Sequence, residues 1–186
     1  MATMYPLFCG LLLTAVCGIV GASDGAITSF FVLEPEEVRS RIIAIASKEI
    51  GVREATGNND GKRVEEYLAY THLGKGQPWC AAFVCWCYGQ AGLLQPRNPW
   101  SPALFPKARV YWRGRTSPCP SGIEDIKADL FGIYSSSAKR INHVGLVKAV
   151  EGKYLLTIEG NSNNRVESRR RHLSTVYALA RWIDRF

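Results

Sequence analysis

The spacing of apolar side chains along the chain changes once. From residue 35 to about residue 91 it is helical. Pro35 opens the first segment, where its missing N–H costs nothing, and Glu36 and Glu37 suit the positive end of a helix dipole. Val38, Ile42, Ile45 and Ala46 mark the inward face, and Gly51 closes the segment. The stretch TGNNDG at 56–61 predicts a loop, and 62–70 a short helix with Val64, Tyr67 and Leu68 facing inward. Residues 80–91 form a third helical segment, so apolar that it belongs at the centre.

Further on the period shortens to two. Runs at 129–134, 143–150, 154–159, 165–170 and 177–182 are separated by Gly, Ser and Asn and predict strands. Residues 92–122, rich in proline, predict irregular surface. A loop of that length in a compact domain is more often functional than idle. Helices first and strands afterwards predict an α+β fold, with N-terminal helices packed on an antiparallel β-sheet.

The N-terminus has its own pattern. The first 23 residues carry no charged side chain, and LFCGLLLTAVCGIV at 7–20 has the length of a signal-peptide core. Val20-Gly21-Ala22 then offers small residues for cleavage, although no Lys or Arg precedes the apolar run. Residues 1–22 are therefore expected to be a signal peptide, with an uncleaved membrane anchor as second reading and a lipoprotein signal at Cys17 as third. All three export the protein. Residues 23–34 are expected to be a linker and 35–186 the folded domain.

Composition adds limits. A chain of 186 residues with 47% hydrophobic and 21% charged side chains suits a single domain with a real core. The formal charge of +7 favours anionic partners, but the basic residues are scattered and only Arg169-Arg170-Arg171 forms a run. No nucleic-acid motif accompanies them. GKGQPWC is not a phosphate loop, because no Ser or Thr follows its Gly-Lys pair.

Three of the six cysteines, Cys80, Cys85 and Cys87, crowd into GQPWCAAFVCWCYG. Zinc is disfavoured: on a helix Cys80 and Cys85 point about 140° apart, and no second ligand pair is near. The same geometry prevents a disulfide among them, while one between Cys119 and Cys85 or Cys87 stays open. Cys85 and Cys87 are expected to be small buried residues. Cys80 differs, because Gln77 precedes a proline and is biased away from helix, so the helix starts at or beside Cys80. A thiol there feels unpaired N–H groups and the positive dipole end, which favour thiolate.

A nucleophilic cysteine requires a base and a group to orient it. His72 and His172 lie in polar surroundings, whereas His143 begins the apolar strand HVGLVKAV. Glu151-Gly152-Lys153 predicts a hairpin turn leading into YLLTIEGN. If Val150 pairs with Tyr154, opposite residues sum to 304 and His143 faces Asn161, with Glu159 diagonal on the same face. Any even sum keeps His143, Glu159 and Asn161 on one face and any odd sum separates them. The catalytic reading requires an even register, which the sequence does not fix.

PWCAAFVCWC with QAG, then DLFGIY, HVGLV and IEGN, resembles the CHAP group of cysteine, histidine-dependent amidohydrolases and peptidases, part of the wider NlpC-type and papain-like set. The resemblance implies a papain-like (NlpC-like) fold over 35–186, with the catalytic cysteine at the start of the central helix. It implies Cys80 as nucleophile, His143 as base, Glu159 as the residue that orients the imidazole, and Asn161 as a second polar partner of the ring. Trp79, Trp100, Tyr111 and Trp112 are candidate groove residues, and Gln77, Glu54 and Asn59 candidate substrate contacts.

The expected activity is cleavage of an amide bond in peptidoglycan by an exported, periplasmic or envelope-associated monomer. No metal, cofactor or nucleic acid is expected to take part. The alternative is an inactive wall-binding or structural domain of the same fold, which would have no need of all four polar positions. Cys85, Cys87 and the long loop at 96–122 depart from the family pattern, and the loop leaves substrate preference open.

Overall fold

The computed structural model describes residues 34–114 and 126–183. Three helices come first: α1 (Pro35–Lys48), α2 (Lys62–Tyr70) and α3 (Cys80–Gln90). Six strands follow: β1 (Val110–Arg113), β2 (Leu130–Ser135), β3 (Arg140–Glu151), β4 (Tyr154–Ser162), β5 (Arg165–His172) and β6 (Ala178–Ala180). The strands form one antiparallel sheet in the order β1-β6-β2-β3-β4-β5. The α+β class expected from the change of period is therefore the observed one. The expected signal or anchor, the linker up to residue 33, and Cys119 lie outside the described residues.

Helix α3 is the core of the domain: Cys80 through Tyr88 are all buried. A helix without a polar face has to be covered on every side. Helices α1 and α2 cover one side and the sheet the other. Gly160 on β4 sets how closely α3 lies on the sheet, because a Cβ there would come within 2.6 Å of Phe83 Cβ and 2.8 Å of Trp79. The opposite face of the sheet carries a second apolar cluster that includes Trp112, Phe131, Val147, Leu155 and Leu179.

Two features depart from the pattern reading. Arg39 of α1 is buried, although it stands among apolar residues on the inward face. Its guanidinium donates to Asp129 Oδ1 at 2.7 Å, to the Lys127 carbonyl at 2.7 Å and to the Ile183 carbonyl at 2.9 Å. Burial is tolerated because the charge is paired and its donors are satisfied. Within the proline-rich stretch, Val110–Arg113 forms edge strand β1 on β6 rather than irregular surface. Four residues with a bulge in their pairing give too little alternation to register as a strand.

The β3–β4 hairpin decides which residues share a face. Its turn is Gly152-Lys153, with Gly152 in the left-handed region at φ 58°. Glu151 pairs with Tyr154, Val150 with Leu155 and Ala149 with Leu156, which sums to an odd 305. A bulge at Lys148 then inserts one residue, so Val147 pairs with Thr157 and Leu146 with Ile158, at the even sum of 304. One unpaired residue thus reverses the facing of everything beyond it. The even register at the His143 end arises from this bulge and not from the turn.

Candidate active site

Cys80 is the first residue of α3, and Trp79 before it has left helical geometry at φ −121°, ψ 11°. The thiol lines a cleft of about 350 Å³ together with Gln77, Trp100, Ser101, Arg140 and Asn142. It is free, buried, and 3.4 Å from Ser101 Oγ. The imidazole of His143, on β3, lies beside the sulfur and favours its thiolate form. The other side of that ring meets β4, where His143 Nε2 lies 2.7 Å from Glu159 Oε2, so Nδ1 is left for the sulfur. Cys80, His143 and Glu159 are brought together from three separate elements.

Glu159 is completely buried and accepts hydrogen bonds on both oxygens. Arg171 on β5 grips it with Nε to Oε1 at 2.7 Å and Nη2 to Oε2 at 2.6 Å. Thr157 Oγ1 donates to Oε1 at 2.6 Å. Gly145 on β3 makes room for this carboxylate, since a Cβ there would meet Phe131 at 2.7 Å and Glu159 Cγ at 3.0 Å. A two-pronged arginine on a carboxylate fixes orientation as well as charge.

The electrostatics follow from these contacts. Burial alone would push the Cys80 thiol up, but the hydrogen bond and charge of His143, the Ser101 hydroxyl and the Val144 backbone hold it below its usual value. Burial would likewise lower His143, yet Cys80 and Glu159 raise it to about 9. Glu159 is opposed by burial and still falls to about 2, through Arg171 first and then His143 and Thr157. The three helical cysteines separate cleanly. Burial pushes Cys85 up to about 12 and Cys87 well above the usual thiol range, which is packing behaviour.

The remaining expected site residues lie elsewhere in the network. Asn161 does not join the His143 ring in the described contacts. Its backbone turns left-handed at φ 56°, which ends the strand alternation that would have kept its side chain on the Glu159 face. Its Oδ1 instead accepts from Trp79 N at 3.3 Å, and its Nδ2 donates to Glu54 Oε1 at 2.9 Å and Asn59 Oδ1 at 3.0 Å. Glu54 also accepts from Trp79 Nε1 at 2.8 Å and from Asn59 N at 2.9 Å.

Glu54, Asn59 and Asn161 thereby brace the start of α3, and none of them lines the cleft. Trp79 is fully buried and stacked against Tyr67, so it belongs to the core and not to a groove. Trp112 is buried in the second cluster, and Tyr111 sits on edge strand β1 under the Arg181 guanidinium. Gln77 and Trp100 do line the cleft, and Trp100 is 58% exposed.

Sequence reasoning missed Ser101, Arg171 and Thr157. Ser101 lies in the proline-rich stretch, on a 3-10 turn (Ser101–Leu104) with no helical or strand period to mark it. Arg171 belongs to the run Arg169-Arg170-Arg171, in which nothing in the sequence singles it out as reaching inward. Strand alternation separates its inward-reaching guanidinium from Arg170, which pairs with Glu151 and covers Tyr154. Thr157 held the one available signal, a polar residue two before Glu159 on the same face of an apolar strand.

The family model of the CHAP domain matches residues 72–161, a span that takes in Cys80, Ser101, His143 and Glu159 but not Glu54, Asn59 or Arg171. No curated protein matches the chain. Similar solved structures include the peptidoglycan hydrolase RipB from Mycobacterium tuberculosis, at 14% identity and TM-score 0.46 over 81% of this chain and 67% of that one. The Resuscitation Promoting Factor Interacting protein RipA, in a mutated form, is similar at 14% identity and TM-score 0.46, over 88% of this chain and 69% of that one. NlpC1 from Trichomonas vaginalis is similar at 12% identity and TM-score 0.41, over 77% of this chain and 44% of that one.

Proposed function

We propose that this chain, whose residues 72–161 match the family model of the CHAP domain, is a cysteine hydrolase that cleaves an amide bond in peptidoglycan outside the cytoplasm, as amidase or endopeptidase. The observation that carries this reading is the grouping of Cys80, His143 and Glu159, with the imidazole held by the carboxylate at 2.7 Å, the thiol favoured as thiolate beside the ring, and the sulfur lining a cleft. An inactive wall-binding domain would have no reason to keep a buried carboxylate, an imidazole and a depressed thiol in one line.

In the resting site the proton of Cys80 resides on His143, which gives a thiolate facing an imidazolium held by Glu159. The sulfur attacks the amide carbonyl, forming a C–S bond and a tetrahedral oxyanion. The first N–H groups of α3 have no carbonyl one turn back and are available to bind that oxygen. As the C–N bond breaks, His143 gives its proton to the departing amine. Water then attacks the thioester, His143 takes a proton from it, and the acid product leaves as Cys80 regains the resting pair. Arg140 is the one cationic side chain lining the cleft among the described residues, which suits the carboxylates of a wall peptide.

The direct test is incubation of purified peptidoglycan with the full chain, followed by chromatography and mass analysis of soluble fragments. New amino groups with matching new fragments are expected. An unchanged fragment pattern across several wall chemistries would sink the reading.

A pH limit follows from the imidazolium. Its proton is needed for departure of the amine, and it is lost as pH rises through about 9. With a soluble wall peptide, kcat/KM is expected to hold through neutral pH and then fall about tenfold per pH unit above that point. A rate still climbing at about pH 10 would contradict the role of His143 as acid.

A further inference from the structure

We propose that Ser101 is a catalytic residue, its hydroxyl donating a hydrogen bond to the Cys80 thiolate and holding the charged sulfur at the floor of the cleft until it attacks. This rests on Cys80 being the nucleophile. Ser101 Oγ lies 3.4 Å from Cys80 Sγ, within hydrogen-bonding range for sulfur, and the serine is buried. The side chain arrives from the 3-10 turn of the proline-rich stretch, between Trp100 and Pro102 in the cleft wall.

The chemistry fixes which atom donates. While Cys80 is a neutral thiol, either group can supply the proton of this bond. Once the thiol proton has moved to His143, the sulfur has none left, and the serine O–H alone can donate. A donor that binds only the charged form at full strength favours that form. The hydroxyl therefore works alongside His143, and the two approach the sulfur from different elements.

The other groups around the sulfur act differently. His143 on β3 supplies the opposite charge, Glu159 on β4 acts through the ring, and the Val144 backbone donates from β3. Cys85 on α3 itself is a neutral thiol pushed up by burial. Arg140 sits at the cleft lining. Of these only the Val144 N–H is another neutral donor, and it belongs to β3, whereas Ser101 donates from the cleft wall. The stretch that reads as an over-long proline-rich loop thus supplies part of the reaction centre.

The test compares Ser101→Thr, which keeps the hydroxyl, with Ser101→Val, which has the same shape without it. Ser101→Ala is a second hydroxyl-free variant in case valine is not accommodated, and thermal unfolding checks each fold. The readout is the rate of iodoacetamide alkylation at Cys80 as a function of pH, followed by peptide mass analysis and needing no wall substrate. For the hydroxyl-free variants the acid limb is expected to move to higher pH, with alkylation below the wild-type midpoint slowed about three- to tenfold. Ser101→Thr is expected to track wild type. Superimposable profiles for wild type and the hydroxyl-free variants would overturn the role of Ser101 and leave Cys80 standing. Wild-type labelling of Cys85 or Cys87 ahead of Cys80 would overturn both.

Discussion

Cys80→Ala is expected to abolish peptidoglycan cleavage while leaving the fold intact. In the proposed mechanism the thiolate sulfur forms the acyl bond, and Ser101 cannot replace it, because it has no base of its own among the described contacts. Loss of a nucleophile that works as a unit with its base costs on the order of 10³-fold or more in kcat. The substitution removes one sulfur from a site that opens to the cleft, so the stability change is expected to stay within about 1 kcal/mol.

Cys85→Ala and Cys87→Ala make the contrast. Both thiols are buried and raised, so their loss is expected to affect packing and leave the cleavage rate near wild type. The measurement is release of amino groups from purified wall, beside a urea melt of each variant. Equal fragment yields from Cys80→Ala and wild type would remove Cys80 from the mechanism.

The second large effect is on stability. Arg171→Met removes both hydrogen bonds of the guanidinium to Glu159 and keeps much of the apolar stem. The carboxylate is completely buried, and breaking a buried pair on one side costs about 3–5 kcal/mol. The remaining bonds from His143 and Thr157 place the expected loss near the lower end, about 3 kcal/mol at pH 7. The sign with pH is fixed by the depressed carboxylate. In wild type the contribution of Glu159 is present above its unfolded value of about 4.3 and is lost as pH falls through about 2.

In Arg171→Met the carboxylate takes up its proton at higher pH, which relieves the buried charge. The gap between variant and wild type is therefore expected to narrow in acid. Urea midpoints at neutral pH and at about pH 4 measure this directly. Arg171→Lys keeps the charge without the fork and is expected to recover part of the loss. Adding Glu159→Gln to Arg171→Met is expected to restore stability, because no charge is then left unpaired. A single Arg171→Met variant within about 0.5 kcal/mol of wild type would contradict the clamp. Activity gives a further readout: a loosened Glu159 no longer holds the His143 ring, so kcat is expected to drop more than KM changes.

The sequence carried its information locally. Pro35, the inward face of α1, the bounds of α2 and the all-apolar α3 were legible because helical period and end signals lie within a few residues of one another. The special position of Cys80 was legible for the same reason, since Pro78 fixes where α3 can begin. Even the choice of His143 over His72 and His172 came from neighbouring residues alone.

What the sequence left open were matters of register and of distant contact. The turn at Gly152-Lys153 gives an odd pairing, and only the bulge at Lys148 returns His143 and Glu159 to one face. A bulge has no local signature, because any residue can be the extra one and its consequence appears several residues away. Arg171, Ser101 and the brace of Glu54, Asn59 and Asn161 have the same origin: each meets its partner across separations that periodicity cannot see. Short-range spacing determined the helices, strands β2 to β6 and the cysteine at the start of α3. Tertiary structure decided which side chains surround that cysteine, because side-chain facing is set by the running total of residues between paired strands, and a single inserted residue inverts it.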